Sequence, residues 1–146
     1  MNHPASIADE HFSRECNCAQ SVFSAFALPH GLDEETAIKI ATPFGGGMAR
    51  TGETCGAVTG ALMALGLARG AATPEGKEEV YRLAREFMRH FEEKHGSLLC
   101  RELIGCDIST PEGLQHAHES GVTKSVCPQL VHDAAEIVQA MLETKH

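Results

Sequence analysis

The stretch KEEVYRLAREFMRHFEEKHG, residues 77–96, decides the fold class of this chain of 146 residues. Its apolar side chains recur at three- and four-residue steps, whereas arginine and glutamate residues occupy the opposite face. This spacing predicts an amphipathic α-helix that begins near Thr73-Pro74-Glu75 and ends at Gly96. The apolar positions are Val80, Leu83, Ala84, Phe87 and Phe91.

Helical periodicity continues along most of the chain, and no stretch alternates with period two for long enough to predict a strand. The sequence therefore predicts an all-α, single-domain bundle of about five or six helices over residues 1–146. We expect residues 1–11 to form a loose N-terminal segment. The other helical patterns cover residues 18–31, 32–42, 97–105, 110–120 and 127–146.

The last of these patterns begins at Cys127-Pro128. Proline suits the first helical position, because its missing N–H group would have no partner there. This argument places Cys127 at the N-cap of the C-terminal helix.

A glycine-rich helix is predicted at the centre of the bundle, in TGETCGAVTGALMALGLARG at 51–70. Gly56, Gly60 and Ala64 are four residues apart, so they lie along one side of a helix that begins at Cys55. Each glycine costs about 1 kcal/mol of helix stability relative to alanine. We therefore expect a neighbouring backbone to pack closely against this side and to offset the cost.

The charge of the chain disfavours a nucleic acid partner. Lys and Arg number 12 against 20 Asp and Glu, which gives a formal net charge of -8, and no basic stripe with interleaved aromatics occurs. The longest apolar run, Cys55 to Ala68, is well short of the roughly 20 residues that span a membrane. The first residues lack the apolar segment of a secretory signal, so we expect a cytoplasmic protein.

Six cysteines are many for a reducing compartment, where structural disulfides seldom persist. There is no C-x-x-C pair, so neither a thioredoxin-type motif nor a zinc ribbon is indicated. Cys55 and Cys127 are predicted at helix N-termini, where the helix dipole favours the thiolate. The alternative is that the cysteines are buried as small hydrophobic side chains.

Four linked segments of this chain resemble the small bacterial and archaeal family named for its C…GCAxxG…C…C pattern, described as redox-active proteins. The similarity runs from about Phe12 onward, and the motif in the family name is matched as CGAVTG, with Thr54 before it. The segments are NCAQSV at 17–22, FGGGMARTGETCGAVTGALMALGL at 44–67, CRELIG at 100–105 and VCPQLVHDAAEI at 126–137.

The resemblance implies a redox site formed by Cys18, Cys55, Cys100 and Cys127, while Cys16 and Cys106 lie outside the pattern. Four convergent thiolates would suit an iron–sulfur cluster or another thiolate-bound metal. Alternatively, two of the cysteines would undergo thiol–disulfide exchange without a cofactor. The family brings no defined reaction, substrate or redox partner.

A third hypothesis also follows from the resemblance. Genes of the family often lie near transporter genes, so the chain would be a non-catalytic accessory or sensing module with buried structural cysteines.

Two further features carry weaker predictions. His132 follows Cys127 by about one turn and is the one histidine predicted as a metal ligand or proton partner. Gly45-Gly46-Gly47 matches no phosphate-binding pattern, and we interpret it as a flexible turn that brings Cys55 close to the other cysteines.

Overall fold

The computed structural model describes residues 3–144, and eight α-helices lie within them. The all-α prediction is confirmed, although the eight helices of the described residues exceed the expected five or six. None of the helices in this described part is long and apolar enough to span a membrane. The helices are α1 (Pro4–Ser13), α2 (Cys18–Ala25), α3 (Glu34–Ala41), α4 (Gly56–Arg69), α5 (Pro74–His95), α6 (Cys100–Ile104), α7 (Pro111–Ser120) and α8 (Val122–Glu143).

Helix α5 has the bounds that its sequence predicts. The Thr73 hydroxyl accepts a hydrogen bond from the N–H of Gly76 at 3.0 Å, which caps the first turn. At the other end, Gly96 adopts φ +86°, a left-handed conformation that glycine takes without steric cost. Leu83, Phe87 and Phe91 are buried against the core.

Helices α2 and α4 pack backbone to backbone at the centre of the core. A Cβ atom at Gly60 would lie 2.7 Å from the carbonyl oxygen of Ala19, and one at Gly56 would lie 2.9 Å from the Ala19 nitrogen. Neither glycine can therefore be replaced without a backbone shift. Ala64 is fully buried one turn further on, so the predicted small-residue face of α4 is confirmed.

The N-terminal region contradicts the expectation of a loose segment over residues 1–11. From Pro4 onward these residues form α1, which packs against α2 and α8. Ala5 and Ala8 are buried in this contact. Alanine contributes little apolar area, which is why the pattern of this helix is weak in the sequence, yet its small side chain lets α1 approach its neighbours closely. Met1 and Asn2 lie outside the described residues.

The predicted start of the C-terminal helix is also wrong. Helix α8 begins at Val122, directly after Gly121 at φ +71°, so Cys127 lies inside the helix and Pro128 interrupts its hydrogen-bond ladder. A proline at this point removes the hydrogen bond to the Lys124 carbonyl. Both Lys124 and Pro128 are exposed, so water can solvate that carbonyl and the helix continues.

Candidate functional site

The four cysteines of the family pattern line one cavity of about 150 Å³. We call this space the cysteine cavity, and its cysteines are Cys18, Cys55, Cys100 and Cys127. Leucine, isoleucine and phenylalanine side chains supply most of the remaining wall. All six cysteines of the chain are free thiols. The fold thus brings together cysteines that lie far apart in the sequence.

Cys18 and Cys55 meet because α2 and α4 begin side by side. Cys18 is the first residue of α2, where Asn17 and Gln20 form a capping box with two reciprocal hydrogen bonds of 2.8 Å. Cys55 is the N-cap of α4. A Cβ atom at Gly56 would lie 3.1 Å from Cys18 Cβ, so the first turns of the two helices are in direct contact.

Cys100 is held beside Cys55 by backbone pairing. The N–H of Cys55 donates to the carbonyl of Leu98 at 2.8 Å, and the N–H of Cys100 donates to the carbonyl of Glu53 at 2.7 Å. An isolated antiparallel bridge joins Thr54 to Leu99 between these bonds. The start of α4 and the start of α6 are therefore fixed relative to each other.

A left-handed turn forms part of the cavity wall. Five consecutive residues, Gly46 to Arg50, have positive φ angles between 53° and 73°. Backbone hydrogen bonds hold the turn, among them Ala49 N–H to the Pro43 carbonyl at 2.8 Å and Glu53 N–H to the Gly47 carbonyl at 2.9 Å. The segment predicted as a flexible turn is thus a closely hydrogen-bonded one.

At Gly46 a Cβ atom would lie 2.8 Å from Arg50 Cα, and Gly47 leaves no room for a side chain either. A Cβ atom there would lie 2.7 Å from Cys100 Cβ and 2.7 Å from the Glu53 nitrogen. Its φ of +68° independently favours glycine. Gly47 is a residue that sequence reasoning missed, although the glycine triplet before Cys55 was a visible signal. The capping pair of Asn17 and Gln20 was also readable, as an N-x-x-Q pattern.

Cys18 and Cys127 form a hydrogen-bonded thiol pair. The Cys18 thiol donates to Cys127 Sγ, and this hydrogen bond lowers the pKa of Cys127 despite its burial. The same hydrogen bond, followed by burial, raises the pKa of Cys18 well above its ordinary value. Part of the Cys18 residue reaches solvent, but its thiol is densely surrounded. Within the pair, ionisation is therefore favoured at Cys127, and the proton is retained by Cys18.

Cys55 and Cys100 are neutral thiols. Burial raises the pKa of Cys55 to about 12, and the N–H groups of Ala57 and Val58 lower it too little to compensate. Burial and the nearby Cys127 raise the pKa of Cys100 to about 11. The predicted activation of Cys55 by its helix N-terminus is wrong, because desolvation outweighs the helix dipole. At Cys127 the pKa is lowered as predicted, but through Cys18 instead of a helix N-terminus.

The donor atoms do not form a metal ligand set in this arrangement. Within residues 3–144, no group of three or more His, Cys, Asp or Glu side chains is placed so that it could hold a metal ion. The four cysteines border a common space without converging on one point of coordination. We therefore derive no chemical step through an iron–sulfur cluster or another metal centre.

The remaining candidate residues lie outside the cysteine cavity. Burial and Glu34 raise the pKa of Cys16. Cys106 packs against the small apolar cluster that contains Cys100 and Cys127, but it does not line the cavity.

His132 binds a carboxylate instead of a thiol. Its Nδ1 atom lies 2.9 Å from Asp9 Oδ2, and its Nε2 atom lies 3.6 Å from Glu136 Oε1. The hydrogen bond to Asp9 raises the pKa of His132. The predicted role of His132 beside Cys127 is therefore not supported, and the residue joins α8 to α1.

Comparison with known proteins identifies one family. A family model with the description "Putative redox-active protein (C_GCAxxG_C_C)" matches residues 16–141, which is most of the chain. No curated protein and no solved structure gives a significant match.

Proposed function

This chain belongs to the C_GCAxxG_C_C family of redox-active proteins, and on that premise we propose that it exchanges two electrons by thiol–disulfide chemistry at Cys18 and Cys127. The observation that carries this proposal is that Cys18 and Cys127 line one cavity, where hydrogen bonding to Cys18 lowers the pKa of Cys127 and so favours its thiolate. A thiolate is the attacking form in disulfide exchange. In this proposal the Cys18 thiol, which interacts with Cys127, resolves the mixed disulfide.

The exchange proceeds in two displacements. Cys127 thiolate attacks one sulfur of a substrate disulfide, which forms a mixed disulfide and expels one substrate thiolate. The expelled thiolate takes the proton of Cys18 and leaves as a thiol. Cys18 thiolate then attacks Cys127 Sγ and expels the second substrate thiolate. The protein loses two electrons and gains the Cys18–Cys127 disulfide, and the substrate disulfide becomes one thiol and one thiolate.

Cys55 and Cys100 have a different role in this proposal. Both are buried, and the raised pKa values keep them protonated at neutral pH. They complete the cavity wall as neutral thiols, and Cys127 is the cysteine of the cavity whose pKa is lowered. Site residues that the family pattern treats alike thus differ in protonation.

The proposal is tested by locating the disulfide that oxidation produces. Reduced protein is treated with stoichiometric diamide, the remaining thiols are alkylated, and peptides are identified by mass spectrometry. We expect a Cys18–Cys127 disulfide, absent from Cys127→Ser but retained in the matched control Cys16→Ser. Oxidation that yields other pairings and leaves Cys18 and Cys127 as thiols would overturn the proposal.

Metal analysis tests the alternative hypothesis that the cysteines bind an iron–sulfur cluster or another metal. The protein is purified anaerobically, and its iron, sulfide and zinc are measured with a visible spectrum. We expect no stoichiometric metal. If the wild type contains stoichiometric iron and sulfide and Cys127→Ser does not, the protein holds an iron–sulfur cluster, and the proposal of thiol–disulfide exchange is overturned. Free thiols suit a reducing compartment, so the cytoplasmic location and an unidentified redox partner remain part of this proposal.

A further inference from the structure

A second chamber adjoins the cysteine cavity. It has a volume of about 170 Å³ and shares Gly46, Ile108 and Thr123 with the cavity wall. Arg50 and His118 line this outer chamber. Both residues are exposed, so the outer chamber lies between solvent and the thiols.

The two chambers differ in charge. No Asp, Glu, Lys, Arg or His side chain of the described residues lines the cysteine cavity, whereas the outer chamber has the Arg50 guanidinium. The inner space of about 150 Å³ holds roughly five water molecules at 30 Å³ each. A small, uncharged sulfur-containing group, such as one half of a low-molecular-weight disulfide, fits there.

Arg50 is free to bind an external anion. Among residues 3–144, its guanidinium has no carboxylate within 4 Å and makes no hydrogen bond. By contrast, Arg101 donates to Glu53 at 3.1 Å. Arg50 also ends the left-handed turn, with φ +63°. Arginine in this conformation costs about 1 to 2 kcal/mol, and strain of this kind is concentrated at functional sites.

We infer that Arg50 is a specificity-determining residue that selects low-molecular-weight disulfides with an anionic end. The substrate places its disulfide in the cysteine cavity and its anionic end beside Arg50 in the outer chamber. The reaction is the exchange given above, in which the substrate disulfide is reduced to thiols as the Cys18–Cys127 disulfide forms. This inference rests on the proposed function and adds the substrate class.

The test compares three small disulfides of similar length and different charge. All three share one 2-hydroxyethylthio half, and the other half ends in a hydroxyl (2-hydroxyethyl disulfide), a carboxylate (2-hydroxyethyl 2-carboxyethyl disulfide) or an ammonium group (2-hydroxyethyl 2-aminoethyl disulfide). Each rate of Cys18–Cys127 disulfide formation is divided by the rate at which the same reagent oxidises 2-mercaptoethanol, which corrects for leaving-group reactivity. We expect the corrected rate of the anionic disulfide to exceed that of the neutral one about two- to fivefold, as for a partly exposed ion pair.

Three variants identify the origin of this preference. Arg50→Gln should reduce the anionic-to-neutral ratio to about one, and Arg50→Lys should retain most of it. Arg85→Gln is the matched control, because Arg85 is exposed, is part of no ion pair in the described residues and lines neither chamber. It removes the same charge and should leave the ratio unchanged.

The possible outcomes distinguish failure of the role of Arg50 from failure of the proposed exchange reaction. The chain carries a net charge of -8, so its long-range field attracts the cationic disulfide, and an anionic preference must come from a local charge. A cationic preference, or a ratio that Arg50→Gln does not change, overturns the role of Arg50 and leaves the exchange reaction intact. Failure of all three reagents and of diamide to form the Cys18–Cys127 disulfide overturns the proposed function itself.

Discussion

The Cys18 thiol donates a hydrogen bond to Cys127 Sγ, which joins the first turn of α2 to the interior of α8. The two cysteines therefore titrate as a pair, and removal of one changes the other. Cys127 gains thiolate character from its partner, not from a helix N-terminus. The pH at which Cys127 ionises therefore reports whether its interaction with Cys18 is present.

Alkylation should reveal Cys127 as the most acidic thiol of the cavity. Because the hydrogen bond from Cys18 lowers the pKa of Cys127, its reaction with iodoacetamide should begin at lower pH than that of Cys55 or Cys100. Cys18→Ala removes the donor and should shift the Cys127 profile to higher pH. The measurement is the alkylation rate of each cysteine against pH, followed by mass spectrometry in metal-free, reduced protein.

Cys18→Ser is the control for this experiment, because its hydroxyl can still donate to Cys127 and should preserve part of the shift. The pH midpoint is compared instead of the absolute rate, since burial limits access to all three sulfurs. A Cys55 midpoint below that of Cys127, or a Cys127 midpoint unaffected by Cys18→Ala, contradicts the assigned charge distribution.

Alkaline pH should destabilise the protein through its buried neutral thiols. The pKa of Cys55 is raised from 9.0 to about 12 on folding. Below pH 9 both states are protonated and the contribution to stability is complete. Between pH 9 and pH 12 the unfolded chain ionises first, so stability falls by at most about 1.4 kcal/mol per pH unit for this thiol.

Urea unfolding at pH 7, 8, 9 and 10 measures this dependence. Cys55→Ala lowers stability at every pH by leaving a cavity, but its unfolding free energy should decline less steeply above pH 9 than that of the wild type. Parallel curves for the two proteins would show that Cys55 does not lose a proton on unfolding in this range.

Local sequence signals predicted those features that depend on local interactions. Helix α5 was predicted correctly at both ends because Thr73 caps its own helix and Gly96 supplies the left-handed residue that ends it. Cys127 was misplaced because a proline is compatible with either the first turn or an exposed interior position. The choice between the two positions depends on whether the Lys124 carbonyl is exposed to water, and this exposure is set by tertiary structure.

The grouping of the four cysteines around one cavity could be predicted, but their protonation could not. The family pattern named the four cysteines that line the cavity. Their protonation depends on which sulfur contacts which and on how deeply each is buried, and neither follows from spacing in the sequence. The left-handed turn from Gly46 to Arg50 was equally hidden, because Met48, Ala49 and Arg50 are residue types that seldom adopt positive φ.

Two glycines of α4 should respond oppositely to alanine. At Gly60 the added Cβ would lie 2.7 Å from the Ala19 carbonyl oxygen, whereas at Gly66 nothing lies within 4 Å. Gly60→Ala should lower the unfolding free energy by about 1 to 3 kcal/mol through overpacking. Gly66→Ala should raise it by about 0.5 to 1 kcal/mol, since glycine is costly inside a helix. Chemical denaturation of both variants provides the comparison, and stabilisation by Gly60→Ala would refute the close helix contact.

The left-handed turn should be a source of strain that glycine relieves. Ala49 has φ +53°, a conformation that costs alanine about 1 to 2 kcal/mol. Glycine avoids this cost, but its greater freedom in the unfolded chain lowers the unfolding free energy by about 0.4 to 1 kcal/mol. Ala49→Gly should therefore raise the unfolding free energy by about 1 kcal/mol or less. The matched variant is Gly96→Ala, at φ +86° with no atom within 4 Å of its added Cβ, which should lower stability by a similar amount. Urea denaturation of the two variants checks the sign of both changes in unfolding free energy.

If Ala49→Gly destabilises the protein while Gly96→Ala behaves as expected, residue 49 does not hold a strained conformation in solution. The strain argument for Arg50 would then lose its support, although the position of Arg50 beside the cysteine cavity would remain.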